Sequence, residues 1–288
     1  MLVALEELRA ASAAALVLDA SWLYPPLNSA AIDVRARFES GHIPGAWWLD
    51  LADLSAAQPW PDPDVPGITM PSPDMVQAIL AVTGYTAADL IVVTDMDGGC
   101  TTAPFLRLAL RAAGCQRVRL LDGGTPAWQS AGLPMATGGG EIIGAARLSR
   151  RPGDAPGQGF GLSVFDDIRR VVDGNATGAL IDARMAPTNA DILPDRYGRS
   201  AIASAAVLRP HEVVEEAGLG LRFRRTDALA QAIESRLGEA PAPWITWCHF
   251  GVGAAVVATA LEIASFQAVR CYAGSLIDYE SRNNGMHS

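Results

Sequence analysis

Trp244-Ile-Thr-Trp-Cys248-His-Phe-Gly-Val-Gly-Ala254 is the stretch on which the reading of this chain turns. Trp244 to Trp247 are aromatic or β-branched and read as a buried strand. After the glycines at 251 and 253, Ala254, Val257, Ala258 and Leu261 recur at helical spacing, with small apolar residues on the other faces. A strand passing through a short Gly-containing loop into a helix is the unit of a parallel α/β sheet. Such sheets take their ligands at the carboxyl ends of the strands. Glycines let the loop curl so that backbone N–H groups point inward, and the helix start adds partial positive charge. Cys248 is thereby placed to hold negative charge on sulfur and to act as a nucleophile. Taken alone, the residues leave a second reading open, in which Cys248 is a small buried hydrophobe.

The same alternation of strand and helix runs through the whole chain. Leu16–Asp19, Ile91–Thr94 and Val118–Leu121 are expected strands of the first half, and Ala179–Asp182, Trp244–Trp247 and Val269–Tyr272 of the second. Their order and separations correspond. Leu-Val-Leu-Asp-Ala20 answers Ala-Leu-Ile-Asp-Ala183, and Val-Arg-Leu-Leu-Asp-Gly-Gly124 answers Val-Arg-Cys-Tyr-Ala-Gly-Ser275, the pattern of an internal repeat. Pro104 in a first turn and Gly114 at a cap enclose an expected helix with Phe105, Leu108, Ala109 and Ala112 on one face and Arg107 and Arg111 on another. Between the halves, Thr137 to Gly161 is rich in Gly and Pro with arginines at 147, 150 and 151, and reads as a surface linker. The expected organisation is a first domain through residue 138, a linker over 139–160, and a second domain over 161–288. Each domain is α/β, a mainly parallel sheet flanked by helices.

At 288 residues, two domains are the natural division. A net charge of −9 speaks against a nucleic-acid partner. The apolar run from Trp244 to Leu261 is interrupted by His249 and followed by Glu262, so a strand turning into a buried helix is expected rather than a membrane span. The first twenty residues carry two glutamates before their apolar part and no basic start, unlike a secretory signal. Four cysteines without CxxC spacing suit a reducing cytoplasm. Cys115 and Cys271 are expected in the core, and Cys100 in an exposed loop. The four cysteines and four histidines show no zinc-ligand spacing, and no metal or organic cofactor is implied.

On these residues the chain resembles the tandem-domain rhodanese family of thiosulfate and 3-mercaptopyruvate sulfurtransferases. Phe38-Glu-Ser-Gly-His42-Ile-Pro-Gly-Ala46 is similar to the family's signature, and Leu121-Asp-Gly-Gly124 with Ala127-Trp128 to its closing segment. Asp182-Ala-Arg184 matches the Asp-x-Arg after the second domain's first strand, and Cys248 to Ala254 matches the active-site loop. Asp95 stands in the first half where Cys248 stands in the second, so the resemblance implies an inactive first domain and a persulfide on Cys248. The sulfur would come from a small anionic donor and pass to a thiol, cyanide or a protein dithiol.

The resemblance implies roles for the loop N–H groups, Arg184 and His42, while the readings of Arg196, His249 and Phe250 rest on side-chain type and position. The loop residues His249, Phe250, Gly251, Val252, Gly253 and Ala254 would surround the sulfur, with their N–H groups as donors. Arg184 would bind a sulfonate or carboxylate, its alternative being an ion pair with Asp182. Arg196 and Arg199, in the loop before Ala201, could add a second anion contact, their alternative being surface solvation. His42 would help protonate an enolate or, alternatively, cap a turn. His249 could titrate near neutrality and bind an anion when protonated, its alternative being to point to solvent. Phe250 would narrow the pocket against a hydrated dianion. The chain departs from the family in having His249 and Phe250 after the cysteine, in Gly253 where a threonine is common, and in Ala201-Ile-Ala-Ser-Ala205 replacing a second signature. Those departures leave a non-catalytic module as the competing reading. A phosphatase would need an arginine where Ala254 stands.

Overall fold

The computed structural model describes residues 1–11, 14–23, 33–52, 54, 68–144, 148, 161–185, 202–238 and 240–283. Strands β1 (Leu2–Val3), β2 (Ala15–Asp19), β3 (Trp47–Leu49), β4 (Leu90–Thr94), β5 (Val118–Leu121) and β6 (Glu141–Ile143) form a sheet in the order β1-β5-β4-β2-β3-β6. All of its pairings are parallel. In the second half come β7 (Leu162–Ser163), β8 (Ala179–Asp182), β9 (Ala206–Val207), the hairpin strands β10 (Val214–Ala217) and β11 (Gly220–Phe223), then β12 (Trp244–Trp247) and β13 (Val269–Tyr272). The second sheet runs β7-β13-β12-β8-β9, again parallel, with the antiparallel hairpin outside it. Leaving out β6, the two sheets follow one order. Every residue of β2 and β8 is buried, as a parallel sheet covered on both faces requires.

Four of the expected strands have the expected bounds, and β2 and β4 each begin one residue earlier. One expectation is corrected. Residues 141–143 fall inside the segment read as linker, yet they pair with β3 and close the first sheet. Ile143 is fully buried there, and burying it outweighs the loop-like composition around it.

The helices of the first half are α1 (Leu5–Ala11), α2 (Val34–Ser40), α3 (Pro73–Thr83), α4 (Ala103–Ala112) and α5 (Gly124–Ser130). Those of the second are α6 (Phe165–Val172), α7 (Pro210–Val213), α8 (Thr226–Leu237), α9 (Val252–Ile263) and α10 (Ser275–Asn283). Helix α4 follows β4 as α9 follows β12, and these two equivalent helices pack on each other. Residues of both, Leu106 and Leu110 with Ala255 and Ala258 among them, belong to one continuous core. Arg107, read from sequence as lying on a face apart from the apolar one, is buried at that contact. Its Nη1 donates to Glu262 Oε2 at 2.8 Å, with the two side chains 6% and 15% exposed. No helix among the described residues is long and apolar enough to cross a membrane.

Removing one partner of a sequestered ion pair leaves a charge without compensation, whereas removing both does not. Arg107→Met should therefore cost about 3 kcal/mol of stability, and the double change Arg107→Met with Glu262→Met should regain most of it. Urea denaturation of the three variants beside the parent checks this.

Candidate active site

Strand β12 delivers Cys248 to the carboxyl edge of the second sheet. The chain must then turn within four residues to start α9, and Gly251 makes that turn at φ 98°. A Cβ there would lie 2.4 Å from the Ala273 carbonyl oxygen and 3.0 Å from Phe105 Cε2, so only glycine fits. The turn aims the Gly251 N–H at Cys248 Sγ, 3.1 Å away. The first N–H groups of α9, those of Val252, Gly253 and Ala254, have no acceptor inside the helix and face the same end. Gly253 is close-packed too, a Cβ there lying 3.0 Å from the Ala183 carbonyl oxygen. Cys248 itself is 5% exposed.

A residue that the sequence reading passed over completes this environment. Ser275, fully buried at the start of α10, accepts the Cys248 N–H at 3.0 Å, and its Oγ lies 3.9 Å from Cys248 Sγ. Its single hydroxyl hydrogen is given to the Tyr272 carbonyl at 2.8 Å, from which it can turn toward a charged sulfur. The backbone at Ser275 has φ 53°, a conformation that costs a side-chain-bearing residue about 1–2 kcal/mol. Its counterpart in the first half, Gly124, has φ 58° and carries no such cost. The signal was present in the repeat, where Ala-Gly-Ser275 answers Asp-Gly-Gly124 with a hydroxyl in place of a hydrogen.

Arg184 follows β8 and is held by Asp182. Its Nε donates to Oδ1 at 3.0 Å, its Nη2 to Oδ2 at 2.7 Å, and its guanidinium lies 4.7 Å over the Trp247 ring. The Asp182 carboxylate also accepts the Arg184 N–H at 3.0 Å. Asp19 makes the same short turn in the first half, accepting the Ser21 N–H at 2.9 Å, but with serine where the arginine stands. Burial pushes the Asp19 carboxyl up to about 6.

The expectation for His249 is reversed. It is buried, and desolvation together with the Arg184 charge brings it down to about 4, so it is neutral at neutral pH and offers no cation. Phe250 sets its ring edge-on to Trp22 of the first half, with centroids 6.2 Å apart.

Cys248, Arg184, His249 and Phe250 line one cavity of about 310 Å³ between the two halves. Val252 and Gly253 lie on the same wall, and Trp22, Asp97 and Cys100 face them from the first half. Most of the wall is apolar. Burial, and after it the Asp95 carboxylate, pushes Asp97 up to about 6. Cys100, expected in an exposed loop, is buried against this cavity, and burial raises its thiol. Cys115 and Cys271 lie in the core.

His42 is placed elsewhere. Its ring stacks on Phe38 at 4.1 Å, its Nδ1 lies 2.9 Å from the Phe38 carbonyl oxygen, and its backbone bridges to Ala136. It does not line the cavity and serves the turn that ends α2. Arg196 and Arg199 lie outside the described residues.

Comparison with known proteins is consistent with this geometry. A family model described as a rhodanese-like domain matches residues 19–131. The 3-mercaptopyruvate sulfurtransferase of Homo sapiens is 27% identical over 276 residues, covering 92% of this chain and 85% of that protein. Its namesake in Escherichia coli K12 is 28% identical over 254 residues, covering 87% and 84%. The crystal structure of SseA from Escherichia coli, a 3-mercaptopyruvate sulfotransferase, superposes with a TM-score of 0.72 at 26% identity, over 95% of this chain and 98% of that one.

Ser275→Gly separates the hydroxyl from the backbone strain. Releasing the strain offsets the buried Cys248 N–H left without an acceptor, each worth about 1–2 kcal/mol, so the melting temperature should change little. Loss of the hydroxyl near the sulfur should slow alkylation of Cys248 by iodoacetamide about fivefold. Mass spectrometry of the alkylated protein against time reads both the site and the rate.

Proposed function

The chain belongs to the tandem-domain rhodanese family, and from that premise we propose that it transfers sulfur from 3-mercaptopyruvate through a persulfide on Cys248. The observation that carries the assignment is the sulfur of Cys248 lying 3.1 Å from the Gly251 N–H at the start of α9, with a cavity before it. In the first step the Cys248 thiolate attacks the donor's sulfur. The carbon–sulfur bond breaks, its electron pair goes to carbon, and the proton that was on the donor's sulfur ends on that carbon as pyruvate leaves. The product is a persulfide anion, for which the N–H groups of Val252, Gly253 and Ala254 are the available donors. In the second step a thiol, cyanide or a reduced protein dithiol attacks the outer sulfur, and Cys248 returns as thiolate.

The character of the cavity favours 3-mercaptopyruvate over thiosulfate. Thiosulfate is a compact, strongly hydrated dianion, and moving it against apolar walls that include Phe250 and Val252 would cost much of its hydration. A keto acid carries one negative charge and an apolar methylene. Arg184, fixed in direction by Asp182 and Trp247, is the cation we assign to its carboxylate. The first domain, through residue 138 with β6 added, supplies the opposite wall, and the second, from residue 161, supplies the chemistry. Four cysteines, all unpaired and buried, suit work in a reducing compartment, which we take to be the cytoplasm.

Intact mass after incubation with 3-mercaptopyruvate should show one added sulfur atom on the parent and none on Cys248→Ser, with thiosulfate loading more slowly. No added sulfur from either donor would sink the assignment and leave a non-catalytic sulfur-binding or regulatory module.

Asp97 adds a pH dependence whose sign follows from its raised position. Above about pH 6 it is ionised and places a negative charge in the wall; below that it is neutral. KM for 3-mercaptopyruvate should rise as pH increases through 6, and Asp97→Asn should flatten that rise. Steady-state kinetics between pH 5 and pH 8 provide the check.

A further inference from the structure

The loop that answers the Cys248 loop in the first half is wrapped around its own anion. Asp95, fully buried, accepts the N–H groups of Asp97 and Gly99 on Oδ1 at 3.1 and 2.8 Å, and those of Thr101 and Ala103 on Oδ2, both at 3.0 Å. Four backbone donors converging on one carboxylate make an anion nest, here filled by the chain itself. Eight positions separate Asp95 from the first residue of α4, where four separate Cys248 from that of α9. The additional residues do not turn away into solvent. Asp97, Cys100, Thr101 and Thr102, together with Trp22 and Leu23, form the first half's side of the cavity that Cys248 faces.

The second half grips this loop from outside. The Leu221 N–H of strand β11 donates to the Asp97 carbonyl at 2.7 Å. Gly98, at φ 127°, lies so close to that strand that a Cβ would stand 1.7 Å from the Leu221 carbonyl oxygen. Leu221 lines the cavity as well. Much of the wall opposite Cys248 is therefore a loop held between an internal carboxylate and a hairpin of the other domain.

We propose that Asp95 is a positioning residue for the chemistry of Cys248, its carboxylate gathering loop 95–103 into the wall that shapes donor binding in the other domain. The proposal rests on the assignment of Cys248 as the sulfur carrier. Asp95 touches neither donor nor sulfur in this role; it acts through the residues it orders. The amide of asparagine keeps the shape but has one acceptor oxygen, so two of the four N–H groups would face an NH2. Glycine would leave the nest empty and open to a small external anion.

The test uses the full chain, as Asp95→Gly and Asp95→Asn. With 3-mercaptopyruvate as donor, Asp95→Gly should raise KM about tenfold while kcat changes less than about twofold, and Asp95→Asn should fall between it and the parent. Formate carries the missing group, and should restore KM saturably in Asp95→Gly but not in Asp95→Asn, where the amide occupies the space. A bulky sulfonate at equal ionic strength should do neither. A second readout needs no sulfur donor, namely the ratio of the rates at which N-phenylmaleimide and iodoacetamide alkylate Cys248. That ratio should change in Asp95→Gly and return with formate. A parent that never accepts sulfur would defeat the functional assignment, while the alkylation ratio would still decide the role of Asp95. Parental KM and alkylation ratio in both variants would overturn the proposal. So would a loss confined to kcat and stability that formate leaves untouched, since Asp95 would then only hold its own domain together. Should Asp95→Gly fail to fold, Asp95→Asn decides by the same two readouts, and parental values there count against the proposal.

Discussion

A helix that starts at the end of a buried strand leaves backbone N–H groups with no acceptor, and burying them unpaired is costly. Both halves of this protein are arranged around meeting that requirement after their central strands, β4 and β12. In the first half the acceptor is the carboxylate of Asp95, which takes the first N–H of α4 at Ala103 with three more from the loop before it, and cannot leave. In the second it is the sulfur of Cys248, which takes the Gly251 N–H and leaves the first donors of α9 for whatever charge the sulfur acquires. The same fold thus has a filled and an open version of one electrostatic arrangement. The filled version has glycine at 124 and no strained side chain; the open one has Ser275 there, held in a left-handed conformation beside the sulfur.

The two arrangements meet because the helices that follow them pack together. Helices α4 and α9 share one core, and the Arg107–Glu262 pair links them at that contact. The cavity opens at the ends of the strands that feed these helices, so it draws walls from both halves. Phe250 meeting Trp22, and the β10–β11 hairpin lying on Gly98, extend the same contact to the cavity's sides.

Much of this could be read in the residues. Central strands such as β8 and β12 are buried over nearly their whole length and written as mainly apolar runs, so their bounds were plain. The strand–loop–helix around Cys248 was plain for the same reason, with its glycines marking the turn. Short edge strands carry too little pattern: β6 is three residues in a Gly-rich context, and β9 is two. The site was harder to read wherever a partner distant in sequence decided the outcome. Arg107 was placed on a face apart from the apolar one, and its burial could not be read because Glu262 lies 155 positions away. His249 looked titratable because nothing local announces its burial. His42 sits in the most specific family-like segment, yet its ring is engaged by Phe38 within its own turn. Ser275 differs from its counterpart by one small side chain, and only the backbone angle shows what that exchange costs.

Helix α9 is buried from Ala254 to Leu261 on every face, by its own sheet on one side and by α4 on the other. Neither half can therefore be kept as a free-standing unit without exposing the apolar face of α4 or of α9 to water, which would drive self-association. Cutting the chain between β6 and β7 would have a different result. The two pieces would each carry one face of a core that is continuous in the whole protein, and would find each other as the subunits of an obligate heterodimer do. For this chain, then, gene fission is a more accessible evolutionary path than domain loss.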